Sequence, residues 1–221
     1  MRRVLITGGS RGIGQAIAAK FNENGYEVFA PSHSELDLTD EMSINQFINN
    51  YREMYFDVII NNAGRNDINL IEQIKDEEIA RMMSINLIAP IKLIRGFVGK
   101  MKEHHYGRII NIGSIWCVVS KGGRTVYSAT KHAIHGVTST LSIELAADNI
   151  LVNTVCPGFT LTEMTRKNNS PDEILAISKD IPIGRMAEPD EIAEVVYFLG
   201  HETNTYLTGQ KIIVDGGYTS K

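Results

Sequence analysis

Short apolar runs alternate with longer amphipathic stretches along the whole chain. In the first amphipathic stretch, Ile13, Ile17 and Phe21 recur every four residues and Gly25 follows as a stop signal, which predicts a helix. The short runs predict six strands at Val4–Thr7, Glu27–Ala30, Val58–Ile60, Arg108–Ile112, Leu151–Val155 and Lys211–Val214. This alternation predicts an α/β fold in which a doubly wound parallel sheet carries helices on both faces. Chemistry is then expected at the carboxyl ends of the strands.

The segment Met83–Met101 is apolar nearly all round, which means that it must be covered on two sides. Its two apolar stripes are Leu87, Ile91, Ile94, Val98 and Met101 on one side and Leu93 with Phe97 on the other. One side can face the sheet. The other is expected to face a partner subunit in a homo-oligomer, or alternatively a further helix of the same chain.

The length of the chain fits one domain over residues 1–221. The formal net charge is −4 and both signs are interspersed, which argues against a nucleic-acid partner. Cys117 and Cys156 lie in apolar runs outside any metal-ligand spacing, so buried structural thiols and no metal are expected. No apolar stretch is expected to reach the roughly 18 residues of a membrane span, and the protein is expected in the cytoplasm.

The first predicted strand runs into a glycine-rich turn and then a helix. The turn reads Thr7-Gly8-Gly9-Ser10-Arg11-Gly12-Ile13-Gly14. Glycines here allow close approach of a pyrophosphate, and the helix N-terminus offers free N–H groups to it. A purely structural turn would use the same residues, but the position in the first βαβ unit favours a dinucleotide site and a Rossmann fold.

The end of the second strand bears on the choice of cofactor. An acidic residue there would favour NAD by binding the ribose hydroxyls, but the strand ends at Ala30-Pro31-Ser32-His33 with no acid, and Ser32 is a candidate cofactor contact. Arg11 could pair with a 2′-phosphate, so NADP(H) is predicted in preference to NAD(H). Two alternatives remain, since Arg11 could be a solvated loop residue and Glu35 could fold back to the ribose.

Candidate acid–base residues follow in the second half of the chain. Tyr127 and Lys131 are four residues apart and share a helical face, so the ammonium is expected to lower the pKa of the phenol. An exposed helical pair is the alternative. Ser114 ends a strand and can donate to a substrate carbonyl. Pro90 lacks the N–H that would bind the Asn86 carbonyl, which frees that carbonyl for an ordered water or simply kinks the helix.

Taken together, these motifs resemble those of the short-chain dehydrogenases/reductases from end to end. The matching residues are Thr7-Gly8-x-x-x-Gly12-x-Gly14, Asn61-Asn62-Ala63-Gly64, Asn86, Ser114, Tyr127-x-x-x-Lys131, Pro157-Gly158, Gly209-Gln210 and Asp215-Gly216-Gly217. The resemblance implies that Asn86, Ser114, Tyr127 and Lys131 are a catalytic tetrad. It also implies an assembly of dimers or tetramers.

The resemblance assigns cofactor contacts as well. Asn62, Ala63 and Gly64 would face the adenosine side, whereas Asp37 and Leu38 would hold the adenine. Pro157, Gly158 and Thr160 would lie beside the nicotinamide, and Lys131 would bind the nicotinamide ribose. The chain departs from the family between Ala30 and Asp37, where there is no room for the usual helix. Residues Glu35–Leu38 are then predicted to form a truncated third strand.

The predicted function is an NAD(P)(H)-dependent oxidoreductase that interconverts a carbonyl and a secondary alcohol. Arg65, Trp116 and Met164, with Arg124, are candidates to line the substrate pocket. The pattern also resembles that of 3-oxoacyl-[acyl-carrier-protein] reductases. Those enzymes carry arginines that bind their acidic carrier, but this chain has His105 and Asp148 at the corresponding positions. Because an aspartate repels an acidic partner, this activity is ranked second. A non-catalytic NAD(P)-sensing regulator ranks third, because all four tetrad positions are filled.

Overall fold

The computed structural model describes the backbone of all 221 residues and every side chain except those of Met164 and Asn168. The strands are β1 (Arg3–Ile6), β2 (Glu27–Phe29), β3 (Val58–Asn61), β4 (Gly107–Ile112), β5 (Ile150–Pro157) and β6 (Lys211–Val214). The helices are α1 (Gly12–Glu23), α2 (Glu41–Tyr51), α3 (Asp76–Met83), α4 (Ala89–Glu103), α5 (Thr125–Glu144), α6 (Glu163–Asn168), α7 (Pro171–Lys179) and α8 (Pro189–Gly200). A π-helical turn, Ser84–Ile88, joins α3 to α4.

All six strands are parallel and lie in the order β2-β1-β3-β4-β5-β6, which confirms the predicted fold class. Successive strand residues point to opposite faces, so each strand supplies two apolar layers. One layer contains Leu5, Ile59, Ile109 and Val152 and packs against α2 and α4. The other contains Val4, Val58, Ile110 and Val155 and packs against α1 and α8.

Two expectations from the sequence are wrong. Glu35–Leu38 forms no strand; it lies in a turn-rich connection to α2, where Leu36 and Leu38 are buried beneath the sheet edge. The other wrong expectation is that no apolar stretch reaches the length of a membrane span, because the helical run Asp76–Glu103 is long and apolar enough to do so by length and composition alone. Its side chains Leu93, Phe97 and Met101 are nevertheless buried in the core against the sheet, as in a core helix of an α/β domain.

The segment Met83–Met101 divides its apolar residues between two surroundings, but not along the predicted stripes, because Ile94 and Met101 are buried in the core together with Leu93 and Phe97. Leu93 and Phe97 are buried against the sheet, whereas Ile91 remains 39% exposed. Ile91 and Val98 line an open groove of about 480 Å³ between α4 and α5, whose opposite wall includes Val137. The groove is thus an apolar surface on the outside of this chain.

Candidate active site

The glycine turn after β1 adopts a backbone that side chains would obstruct. Gly8 and Gly12 have positive φ values of 67° and 55°. A Cβ on Gly14 would lie 2.1 Å from the Gly8 carbonyl oxygen and 2.4 Å from Asn62 Nδ2. The turn therefore places bare backbone at the N-terminus of α1, which fits a close-lying pyrophosphate.

Thr7 and Asn62 hold this turn against the end of β3. The Thr7 hydroxyl accepts hydrogen bonds from the main-chain N–H groups of Asn62 and Ala63, both at 3.1 Å. Asn62 Nδ2 donates in return to the Thr7 and Gly8 carbonyls, both at 3.0 Å. Because Thr7 is buried, its contribution in this structure is to position the turn and the segment that faces it.

A cleft of about 580 Å³ opens above the glycine turn, a volume in the range of small-molecule and cofactor sites. Twelve of the predicted cofactor residues line it, namely Gly8, Ser10, Arg11, Gly12, Ile13, Gly14, Ser32, Asp37, Leu38, Asn62, Ala63 and Gly64. Pro157, Gly158, Thr160, Tyr127 and Lys131 are not part of this lining. The cleft therefore corresponds to the adenosine and phosphate half of the predicted site.

Further lining residues were not predicted from the sequence. They are Pro31, His33, Leu36, Thr39, Ile85, Thr162 and Glu163. Thr162 caps α6, and its methyl group would lie 3.3 Å from a Cβ on Gly12. The segment after β5 thus reaches across to the glycine turn, which is a long-range contact without a local sequence signal.

The tip of β2 has the polar character that the sequence indicates. Ser32 and His33, which follow β2, line the cleft together with Arg11 of the glycine turn. The Glu35 carboxylate folds back onto Ser32 and accepts hydrogen bonds from its main-chain N–H and its hydroxyl, both at 2.8 Å. Glu35 itself is not part of the lining.

Asn86 lies buried in the π-helical turn and fixes the segment after β3. Its Oδ1 accepts from the Arg65 N–H at 2.8 Å, and its Nδ2 donates to the Arg65 carbonyl at 2.8 Å and to Thr130 Oγ1 at 3.1 Å. Thr130 Oγ1 in turn donates to the Tyr127 carbonyl at 2.8 Å. The side chain therefore links the π-helical turn to α5.

The side chains of Lys131 and Asn86 both lie next to Gly64. A Cβ on Gly64 would lie 3.6 Å from Lys131 Nζ and 3.7 Å from Asn86 Oδ1. The ammonium donates to the Ile112 carbonyl at 2.7 Å and lies 5.6 Å from the centre of the Tyr127 ring. Burial lowers the pKa of Lys131 to about 8.

The environment of Tyr127 differs from the one expected. Burial raises the pKa of the phenol above its ordinary value, while a hydrogen bond with Ser114 and the positive charge of Arg124 lower it. The net direction is thus opposite to that expected from Lys131 alone. The sequence treats Arg124 as a possible pocket residue, not as a charge that acts on the tyrosine.

The proposed pocket residues fall into different surroundings. Trp116 is 6% exposed and lies in the 3-10 turn that starts after Ser114. Arg65 Nε donates to Asp67 at 2.6 Å, so this guanidinium is already paired. The side chain of Met164 lies outside the described residues. Cys117 is free and buried, as expected.

The comparisons with known proteins agree with this architecture. The family model described as enoyl-(acyl carrier protein) reductase matches residues 30–219. The 3-oxoacyl-[acyl-carrier-protein] reductase FabG of Escherichia coli (strain K12) is 35% identical, covering 96% of this chain and 95% of its own length. The solved structure of ElxO with NADP bound is 30% identical with a TM-score of 0.92, covering 100% of this chain and 99% of its own.

A second solved structure carries the other nicotinamide cofactor. It is 4-hydroxyisoleucine dehydrogenase complexed with NADH, which is 25% identical with a TM-score of 0.94 and full coverage of both chains. The similar proteins thus include both NADP and NADH complexes. The chain belongs to the short-chain dehydrogenase/reductase family of NAD(P)-dependent oxidoreductases.

Proposed function

We propose that the protein interconverts a carbonyl group and a secondary alcohol, with Tyr127 as the proton donor and acceptor. The observation that carries this proposal is that Lys131 Nζ and Asn86 Oδ1 both lie within 4 Å of the position that a Cβ on Gly64 would take. Lys131 lies on the same face of α5 as Tyr127. Ser114 faces the same phenol at the end of β4. These side chains come from three separate segments and have no common packing role that would require all four.

The cofactor, when bound, supplies or accepts the hydride. In the reducing direction, the Tyr127 hydroxyl protonates the carbonyl oxygen while the Ser114 hydroxyl donates to that oxygen and polarises it. Lys131 holds the nicotinamide ribose and favours the phenolate. Because the side-chain atoms of Asn86 are all engaged, its main-chain carbonyl is the group that would hold a water to resupply the proton.

The residues of the cleft fit a dinucleotide, and we propose NADP(H) in preference to NAD(H). The backbone of Gly8, Gly12 and Gly14 would hold the pyrophosphate. These positions must stay free of side chains for the turn to form, since a Cβ on Gly14 would overlap existing atoms. Arg11, in the glycine turn, and Ser32, three residues after β2, both line the cleft and could bind a 2′-phosphate. The Glu35 carboxylate is engaged by Ser32 and does not line the cleft.

The proposed enzyme is a cytoplasmic homo-oligomer, either a dimer or a tetramer. The open groove between α4 and α5 supports this, since its walls include the apolar residues Ile91, Val98, Val137 and Leu141. A second copy of the chain would remove these side chains from water. The same surface accounts for the second apolar side of the segment Met83–Met101.

The test is the consumption of NADPH with an acetoacetyl thioester and with small ketones, for the natural protein and for Tyr127→Phe. Loss of the acid is expected to lower kcat by roughly 10²–10⁴-fold. Binding of NADPH, followed by its fluorescence, is expected to persist. The control is Tyr206→Phe, which removes the hydroxyl of a tyrosine that is 94% exposed. Turnover by Tyr127→Phe close to that of the natural protein would refute the role of Tyr127, and the same assay with NADH tests the cofactor preference.

A second candidate function is reduction of 3-oxoacyl groups on an acyl carrier protein, which the 35% identity to the E. coli enzyme favours. Asp148 argues against it because a carboxylate repels an acidic carrier. Lys102 Nζ lies 3.6 Å from this carboxylate, which offsets part of its charge. Rapid turnover of the thioester would favour this function over that of a general carbonyl reductase.

A further inference from the structure

Arg124 carries a half-buried guanidinium, two nitrogens of which are removed from water without a counter-ion. The residue immediately precedes α5, three positions before Tyr127. Its Nε and Nη1 are buried and have no hydrogen-bond partner among the described residues. Its Cζ lies 4.9 Å from the centre of the Trp116 ring, a cation–π contact that offsets only a fraction of the lost hydration. Burial accordingly lowers the pKa of Arg124.

Other cations near the site have acceptors from the chain itself. Arg65 Nε is paired with Asp67 at 2.6 Å. Lys131 Nζ donates to a main-chain carbonyl at 2.7 Å, and Lys211 Nζ donates to the Cys117 carbonyl at 3.0 Å. In contrast to these three, Arg124 makes no ion pair with any carboxylate of the described side chains. A buried donor without an acceptor is costly, so its partner is expected to come from outside the chain.

The surroundings of Arg124 place it on the substrate side of Tyr127. Trp116, on which it stacks, lies two residues after Ser114 and packs edge-on against Phe159, with 6.2 Å between the ring centres. Phe159 directly follows Gly158, in the segment proposed to lie beside the nicotinamide. The charge of Arg124 also acts on the Tyr127 phenol, where it opposes the rise in pKa that burial causes. The guanidinium is therefore close to where the reacting carbonyl oxygen would lie.

We propose that Arg124 binds a carboxylate of the substrate, so that the enzyme acts on oxo acids and the corresponding hydroxy acids. A guanidinium provides several N–H donors in one plane, which suits the two oxygens of a carboxylate. This inference rests on the proposed carbonyl–alcohol chemistry and adds the substrate class to it.

The test compares each oxo acid with its methyl ester, which has the same carbon skeleton at the carbonyl but no charge. The pairs are 2-oxobutanoate, acetoacetate and 4-oxopentanoate with their methyl esters, which vary the distance from carbonyl to carboxylate. For at least one pair, kcat/KM is expected to favour the acid by about tenfold or more. Arg124→Gln is expected to lower kcat/KM by roughly 10²-fold more for that acid than for its ester, as for loss of one partner of a buried charge pair.

Two further variants separate charge recognition from other effects. Arg124→Lys keeps the charge and is expected to restore part of the preference for the acid. Lys121→Gln removes an equal charge from an exposed position in the same loop and is expected to leave the acid-to-ester ratio unchanged. An equal loss for acid and ester in Arg124→Gln would overturn the proposal, because it would mean that Arg124 acts only through Tyr127 or through the fold.

A binding measurement covers the case in which no compound in the panel is turned over. The acids and esters are titrated into the natural protein and into Arg124→Gln, each saturated with NADPH, by isothermal calorimetry. Tighter binding of an acid than of its ester that is lost in Arg124→Gln supports the carboxylate subsite, even if the proposed reaction is then wrong. If no acid binds more tightly than its ester, the subsite proposal is wrong.

Discussion

Thr138 is the centre of a buried hydrogen-bond network beneath the proposed active site. Its hydroxyl accepts from Asn111 Nδ2 at 2.9 Å and from Thr154 Oγ1 at 2.8 Å, and it donates to the Ile134 carbonyl at 3.1 Å. Asn111 Oδ1 also accepts from Asn61 Nδ2 at 2.8 Å. The network joins β3, β4 and β5 to α5, the helix that bears Tyr127. Replacing Thr138 by valine keeps the shape of the side chain but removes the shared oxygen.

The expected loss can be worked out from the groups left without a partner. The donors Asn111 Nδ2 and Thr154 Oγ1 both lose their acceptor, and both residues are 0% exposed, so water cannot replace it. Each unsatisfied buried donor costs about 1–3 kcal/mol, which gives about 2–6 kcal/mol for Thr138→Val. The Ile134 carbonyl keeps its helical N–H partner and adds little. Thr138→Ser retains the hydroxyl and loses one methyl group, at a cost of about 1 kcal/mol.

The assay is equilibrium unfolding in urea, followed by circular dichroism at one protein concentration for all three proteins. At about 2–4 °C per kcal/mol for a chain of this size, the same difference can be measured as a fall in Tm. Thr138→Val is expected to be less stable than Thr138→Ser although valine is closer in volume to threonine. If the two variants differ by less than about 0.5 kcal/mol, the network does not stabilise the fold as its geometry indicates.

Two further predictions concern the cofactor turn and Lys131. Gly14→Ala is expected to lower the affinity for NADPH at least tenfold and to lower the Tm, because its Cβ would overlap the Gly8 carbonyl. The control Gly99→Ala places its Cβ in open space and should change neither quantity. Equal NADPH dissociation constants for the two variants would contradict this prediction. The pKa of Lys131 is about 8 in the folded chain, below its ordinary value, so the unfolded chain binds more protons above pH 8. The free energy of unfolding should therefore rise with pH from about 8 to about 10.5, by roughly 3 kcal/mol in total. Lys131→Met should lack this rise, and a stability difference between the two proteins that stays constant from pH 7.5 to 10 would contradict the assignment.

The strands and the alternation of helices could be predicted because they depend on local apolar periodicity. The run Lys211–Val214 was predicted with its observed bounds, and Val58–Ile60 falls one residue short of β3. The segment Glu35–Leu38 shows the limit of this reasoning. Leu36 and Leu38 alternate with polar residues as in a strand, but no neighbouring strand pairs with them and they fill the space beside α2 instead. Pairing is a tertiary property, which the alternation alone does not specify.

The candidate site divides in the same way between local and tertiary information. The glycine turn and the spacing of Tyr127 and Lys131 are local features, so the sequence could indicate them. The pairing of Arg65 with Asp67 spans only two positions, yet the sequence does not tell whether the two side chains turn towards each other. The stacking of Arg124 on Trp116 crosses a loop and depends on the path of that loop. The two arginines therefore look equivalent in the sequence and differ in the fold.

This difference explains why the reaction class can be inferred more firmly than the substrate. The proposed acid–base residues lie at the carboxyl end of β4, on α5 and in the π-helical turn, positions that the parallel sheet brings together whatever the substrate is. Selectivity instead depends on side chains in the connecting loops, such as Arg124, whose charge state and partners follow from contacts formed only in the folded chain. In the proposed reaction the carbonyl oxygen lies between Ser114 and Tyr127, which would leave the rest of the substrate to meet Arg124 and Trp116. If Arg124 binds substrate as proposed, its unpaired cation would disfavour neutral compounds and a carboxylate would relieve the cost of its burial. The acid-to-ester ratio is therefore the quantity that would distinguish an oxo-acid reductase from a general carbonyl reductase.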